Sequence, residues 1–279
     1  MLQSSVRTAD GGRLRVYSYG EGPGVVLVGG TNTAGFAYAR FARKLAGTLP
    51  VHVYDRRGRG GSSPQPANYS LETEIADLRS VLAATDSTMI LGHSFGGMLA
   101  LEAGLLLPVS KIAVYDAVPN IDGVVPTAYL PELDDAVGRG DVVGAVTILG
   151  KGLSAKLRET RVPDPAFRLL VRCAGIATRK GRAWRGTVAS AVPEIAWLRA
   201  NQTAASHFAG ITAPVLLLFG ERSDPFYRTI AEGMDAVLPN SRVVMAARSD
   251  HGAMDRPAKV LLAPLAEFLG AGRTSARLR

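Results

Sequence analysis

Met89-Ile90-Leu91-Gly92-His93-Ser94-Phe95-Gly96-Gly97-Met98-Leu99-Ala100 decides how this chain folds. An apolar run leads into Gly92-His93-Ser94-Phe95-Gly96-Gly97, and a helical pattern, Met98 to Ala103, leads out. A Gly-x-Ser-x-Gly sequence between a strand and a helix reads as a nucleophile elbow. The small residues two before and two after the serine let the backbone bend sharply there. The serine then stands at a strand end and a helix N-terminus, where backbone N–H groups can stabilise a developing oxyanion.

Outward from the elbow, continuous apolar runs at 25–28, 51–54, 89–91, 112–115, 215–219 and 243–246 predict strands buried on both faces of a parallel sheet. Helical patterns at 36–49, 71–84, 94–107, 226–238 and 258–269 alternate with them, the βαβ rhythm of an α/β fold. A hairpin, Val6 to Thr8 and Leu14 to Tyr19 around Asp10-Gly11-Gly12, precedes the alternation. The rhythm breaks once, between Asp116 and Val215, in a stretch with helical periodicity of its own at 130–137 and 142–149. Residues 119–210 are therefore expected to form a helical cap. It would lie over the ligand crevice at the carboxyl ends of the strands, on a core of residues 1–118 and 211–270, with 271–279 as a frayed basic tail.

The 279 residues are ordinary in hydrophobic content, 47%, and can bury a sizeable core. The single cysteine, Cys173, excludes an internal disulfide and reads as a buried cap residue. With no apolar signal core in Met1 to Asp10 and no membrane-length apolar stretch, the sequence predicts a cytoplasmic protein without a membrane partner. The formal net charge of +8 resides in residues 151–185, where ten Lys and Arg face only Glu159 and Asp164. No aromatic interleaving or nucleic-acid module accompanies these cations, so they read as a solvated face or as a steering field for anionic or carrier-bound substrates.

A serine hydroxyl needs a base, and the base needs an orienting partner. Of the four histidines, His52 lies in a strand, His93 in the elbow and His207 at the end of the insertion. His251, on the loop after the last strand, remains as the base. Asp224 in Gly220-Glu221-Arg222-Ser223-Asp224-Pro225, at a carboxyl strand end, is the expected orienting acid; Asp116 after the Ile112–Tyr115 strand is the alternative, and Glu221 a third candidate. Backbone N–H groups of Phe95 and of Thr31, in Gly29-Gly30-Thr31, are the expected oxyanion donors.

With these residues in place, the chain resembles the α/β-hydrolase fold superfamily. Tyr54-Asp55-Arg56-Arg57-Gly58-Arg59-Gly60-Gly61-Ser62-Ser63, the elbow and His251 are similar to small bacterial hydrolases of the esterase and peroxidase-like groups. The resemblance implies a mostly parallel sheet flanked by helices and the chain order nucleophile, acid, histidine. Many relatives have His-Gly where this chain has Gly29-Gly30, and many place the acid three residues after the turn glycine, where Asp224 is four after Gly220. Relatives that cleave haloalkanes or epoxides carry an aspartate where Ser94 stands, so that chemistry is disfavoured.

The histidines are scattered without metal-ligand spacing, and the prolines after Gly58-x-Gly60-Gly61 prevent a phosphate-cradling helix, so no metal and no cofactor are expected. The expected activity is hydrolysis of an ester, thioester or lactone of a small-molecule substrate through an acyl-enzyme on Ser94. The rivals are a non-hydrolytic use of the same site, such as acyl transfer, cyclisation or C–C cleavage, and a ligand-binding module without turnover.

Overall fold

The computed structural model describes residues 1–159, 162–255, 257 and 259–270. An eight-stranded sheet in the order β1-β2-β4-β3-β5-β6-β7-β8 organises it. The strands are β1 (Leu2–Arg7), β2 (Arg13–Tyr19), β3 (Val25–Val28), β4 (Val51–Tyr54), β5 (Met89–His93), β6 (Lys111–Tyr115), β7 (Val215–Gly220) and β8 (Ser241–Ala246). The first two form an antiparallel hairpin, β2 pairs antiparallel with β4, and the remaining pairings are parallel. The central strands β3, β4 and β7 are buried along their whole length. That is why their sequence is a continuous apolar run rather than an alternation.

Helices α1 (Ala39–Leu45), α2 (Leu71–Ala84), α3 (Phe95–Leu106), α10 (Pro225–Asp235) and α11 (Lys259–Gly270) flank the sheet. One apolar cluster contains residues of α2, α3 and α10, and a second contains residues of α1 and α11. The helix expected over residues 36–49 is shorter: a 3-10 turn spans Gly35–Tyr38 before α1 begins at Ala39. The Gly35 N–H is drawn to the Asp55 carboxylate at 2.6 Å, which fixes the chain's entry there.

Between β6 and β7 the chain builds α4 (Leu130–Gly138), α5 (Val142–Gly152), α6 (Ala155–Arg158), α7 (Asp164–Ala177), α8 (Arg179–Thr187) and α9 (Ala191–Ala200). This segment has an apolar cluster of its own, with Leu133, Ala145, Leu149, Val188 and Ala191. Cys173 is exposed, not buried as the sequence suggested. It lies on α7 beside the outward-facing Leu169, Leu170 and Ile176, while Gly175 on the same helix packs against Arg185. The tail expected at 271–279 and the cation Arg161 lie outside the described residues. Among the described residues, no helix is long and apolar enough to cross a membrane.

A buried ionic cluster locks the inserted helices to the sheet. Arg56, 1% exposed, donates to Glu74 of α2, with one contact at 3.1 Å, and reaches Glu194 of α9 at 3.0 Å. Arg59 also pairs with Glu194. Burial by itself would raise the Glu194 carboxyl, but the charges of Arg56 and Arg59 outweigh it and hold the group below its ordinary value of 4.5. Glu194 therefore stabilises the fold fully above about pH 4.5, and that contribution is lost as pH falls through its lower folded value. Glu194→Gln leaves two buried guanidinium groups short of a counter-charge. Urea unfolding at pH 7 should show a loss of about 3–5 kcal/mol. The deficit relative to wild type should narrow in acid, where wild-type Glu194 is itself protonated; a deficit independent of pH would contradict this.

Candidate active site

The elbow is a close-packed corner. Ser94 has φ 57° and ψ −123°, between the end of β5 and the first turn of α3. A Cβ on Gly92 would come within 2.4 Å of Gly96 O, and one on Gly96 within 2.2 Å of Val28 O. No side chain fits at either position, so strand and helix meet only with glycine there. The Ser94 N–H donates to Tyr115 O at 3.0 Å, which ties the strained residue to the end of β6.

Sheet register brings the other groups to the same corner. His93 pairs with Tyr115, Tyr115 with Leu218, and Gly220 with Ala246. The residues following β5, β6, β7 and β8 therefore emerge side by side. Asp116 follows β6 with φ 47° and is 1% exposed. It accepts from Gly220 N–H at 3.0 Å, from Ser223 Oγ at 2.6 Å and from His251 Nδ1 at 3.0 Å. Since a carboxylate only accepts, Nδ1–H is the donor in this bond, and Nε2 is the ring nitrogen that the carboxylate does not engage. The His251 ring is stacked on Tyr227 at 4.9 Å and tilted against His93 at 4.7 Å.

The structure thus brings His251 to Asp116, not to Asp224. Asp224 instead occupies the N-cap position of α10 and contacts Arg158 of α6 at 3.2 Å. The turn in which the acid was expected contributes Ser223 and the Gly220 N–H, both of which hold the Asp116 carboxylate. Glu221, the third candidate, accepts from the Arg248 N–H at 2.6 Å and braces the loop that carries His251. Tyr115 Oη braces it again by donating to Asp250 O at 2.6 Å.

Thr31 and Ser94 line one cavity of about 370 Å³ together with His251. Among the described residues, the Thr31 and Phe95 N–H groups make no hydrogen bond within the protein, whereas the neighbouring Gly30 N–H is taken by Tyr38 Oη at 2.9 Å. Two donors therefore stand available beside Ser94. The outer wall comes from the insertion, with Leu149, Leu153, Phe167, Val171 and Trp184. The volume lies at the lower end of the range for small-molecule sites, and the wall is apolar. Among the described residues, no three His, Cys, Asp or Glu side chains gather into a group able to hold a metal ion.

A family model described as alpha/beta hydrolase family matches residues 25–263. The chain belongs to the alpha/beta hydrolase family. Over 95% of its length it resembles the solved structure of an alpha/beta hydrolase from Sphaerobacter thermophilus, with TM-score 0.79, 27% identity and 99% of that chain covered. An esterase from Exiguobacterium antarcticum is similar in fold, with TM-score 0.72 at 20% identity, over 96% of this chain and 99% of that one. The curated pimeloyl-[acyl-carrier protein] methyl ester esterase of Xanthomonas oryzae pv. oryzae is 34% identical over 102 residues, 36% of this chain. That match spans 39% of the relative's own length.

Sequence reading missed a relay between the loop after β3 and the loop that carries His251. His93 Nε2 lies 3.1 Å from the His251 carbonyl oxygen, which only accepts, so Nε2 is the donor and, in the neutral ring, Nδ1 is the acceptor. Tyr38 Oη donates to that Nδ1 at 2.9 Å and itself accepts from the Gly30 N–H. Burial holds the Tyr38 phenol well above its ordinary value, so it remains a donor. The only local signal was a histidine beside the serine; its partners lie far away in the sequence. Nitrogen NMR should find His93 protonated at Nε2, and the opposite tautomer would contradict the relay. Tyr38→Phe strands the buried Gly30 N–H and should cost about 1–3 kcal/mol in chemical denaturation.

Proposed function

We propose that this chain is a serine ester hydrolase that forms an acyl-enzyme on Ser94, with His251 as the base and Asp116 as the carboxylate that orients it. The observation that carries the reading is the 3.0 Å bond from His251 Nδ1 to a fully buried Asp116, beside an elbow serine that opens on an apolar cavity. His251 Nε2 takes the Ser94 proton as Oγ attacks the acyl carbon. Thr31 and Phe95 N–H groups receive the oxyanion, and the imidazolium returns the proton to the leaving oxygen. Water, deprotonated by the same nitrogen, then releases the acid. Asp116 stabilises the imidazolium in both steps without taking its proton.

Residues 119–210 act in this reading as a cap over a core of 1–118 and 211–270, because α5, α7 and α8 supply the apolar wall of the cavity. The substrates are esters, thioesters or lactones carrying an apolar group of a size the cavity holds. The compartment is the cytoplasm, where the exposed thiol of Cys173 stays reduced. The partial match to carrier-protein ester esterases favours a further possibility, an acyl group presented on an acidic carrier. The cationic insertion supports it in part only: Lys151, Arg158 and Arg168 are already paired with Asp164, Asp224 and Asp141.

Ser94→Ala should lower kcat by about 10⁶ with the fold intact, and a fluorophosphonate probe should label wild type and not the variant. Labelling without turnover of any ester would favour a binding module. Asp116→Asn should cost about 10⁴ in kcat, since it leaves the histidine in the wrong tautomer, while Asp224→Asn should cost far less. The reverse order would reassign the acid. For the carrier reading, kcat/KM for an anionic thioester should fall with added salt while that of a neutral ester with the same acyl group stays level. Equal salt dependence would remove that reading.

A further inference from the structure

Ser94 lines two cavities of unequal size. Thr31, Ser94 and Leu153 also line a second cavity of about 10 Å³, whose other walls include Val118, Ile195, Leu198 and Tyr227. That volume admits a single water-sized group. Its walls are apolar except at Tyr227 and at the reacting corner itself.

Tyr227 is 2% exposed, and its hydroxyl has no hydrogen-bond partner among the described residues. Buried polar groups are ordinarily satisfied, so an orphaned phenol on a cavity wall marks a place for an external acceptor. Among the described residues, the buried Tyr54 and the half-buried Tyr69 and Tyr129 also have unpartnered hydroxyls, but none of the three lines either cavity beside Ser94. Burial, reinforced by Asp116 and Asp224, keeps the Tyr227 phenol far above its ordinary value, so it is a donor and never a base. Its ring is stacked on that of His251, the group that hands a proton to the leaving oxygen.

We propose that the small cavity is the subsite for the alcohol half of the ester, sized for a one-carbon alkoxy group, with the Tyr227 hydroxyl donating to the alkoxy oxygen. This rests on the hydrolase reading and names its substrate class: small-alcohol esters of an apolar acid. The tetrahedral carbon on Ser94 carries an oxyanion, an acyl chain and an alkoxy group. The oxyanion belongs to the N–H donors, and two unequal spaces remain for two substituents. The space with an orphaned donor suits the substituent that begins with oxygen, whereas the first carbon of an acyl chain offers no acceptor. When the C–O bond breaks, the electron pair leaves on the alkoxy oxygen, His251 supplies its proton, and Tyr227 keeps its own.

The test uses the full chain and esters of octanoic acid with methanol, ethanol and butanol, alongside octyl acetate, which reverses the halves. kcat/KM should fall at least tenfold from methyl to butyl octanoate, and octyl acetate should be poorer than methyl octanoate. Leu198→Ala, which widens the small cavity, should narrow the gap between methyl and butyl esters. Tyr227→Phe keeps the ring and loses only the hydroxyl; kcat/KM on methyl octanoate should drop about tenfold with KM for the oxygen-bound substrate raised. Its Tm should stay level or rise, because no hydrogen bond within the protein is lost. Equal use of methyl and butyl octanoate, preference for octyl acetate, or an unchanged kcat/KM in Tyr227→Phe would overturn the subsite. If wild type turns over none of the esters, the hydrolase reading itself fails and takes the subsite with it; turnover without alcohol selectivity fails the subsite alone.

Discussion

A single buried guanidinium holds the molecule's separate parts in register. Arg56, on the loop after β4, reaches Glu74 of α2, Glu194 of α9 and the carbonyl of Gly29 at 3.3 Å, and lies over the Phe95 ring at 4.8 Å. Those partners belong to a flanking helix, the insertion, the loop after β3 and the first residue after the elbow serine. A guanidinium taken out of water is tolerable only when its planar fork is matched by acceptors on several sides. Losing any one of these acceptors leaves the buried charge less compensated. The neighbouring charges follow the same logic: Asp55 accepts from Tyr17, Gly35 and Gly61, and Arg57 is held by Asp77 and Asp10.

From that anchor a continuous set of contacts runs through the reacting corner. The Gly30 N–H, Tyr38 hydroxyl, His93 ring and His251 carbonyl form one directed chain of hydrogen bonds. Asp116 holds the other side of the His251 ring through Nδ1. The imidazole is therefore fixed at its backbone and at one nitrogen, and only Nε2 is left for chemistry. Positions held this tightly before substrate arrives need no reorganisation when charge develops.

The cavity divides the labour between core and insertion. The strand ends contribute Ser94, Asp116 and His251, while Leu149, Phe167, Val171 and Trp184 of the inserted helices contribute apolar surface and no reacting group. In the proposed reading chemistry and substrate choice sit on different segments, joined through Glu194 and through the bond of Thr187 Oγ1 to Asn32 in the loop after β3. Changes in α5, α7 or α8 can alter what is bound without touching what reacts.

The strands at 25–28 and 51–54, the helix at 71–84 and the elbow were legible in the chain because each depends on neighbours along it: apolar runs, helical period, glycines two before and two after a serine. His251 as the candidate base could be picked out in the chain because so few histidines were available. The carboxylate bonded to that histidine could not. Asp116 and Asp224 lie in similar surroundings, each following a buried strand, and no local pattern separates them. The choice between them is made by which strand end the histidine loop reaches across the sheet, and by Ser223 and Gly220 turning toward Asp116. The Tyr38–His93 relay and the Arg56–Glu194 pair likewise join residues 55 and 138 positions apart. The amino-acid order determines what short-range sterics and burial periodicity can encode, whereas the acid, the relay and the cavity walls are set only once sheet register and long-range charge pairing bring distant segments together.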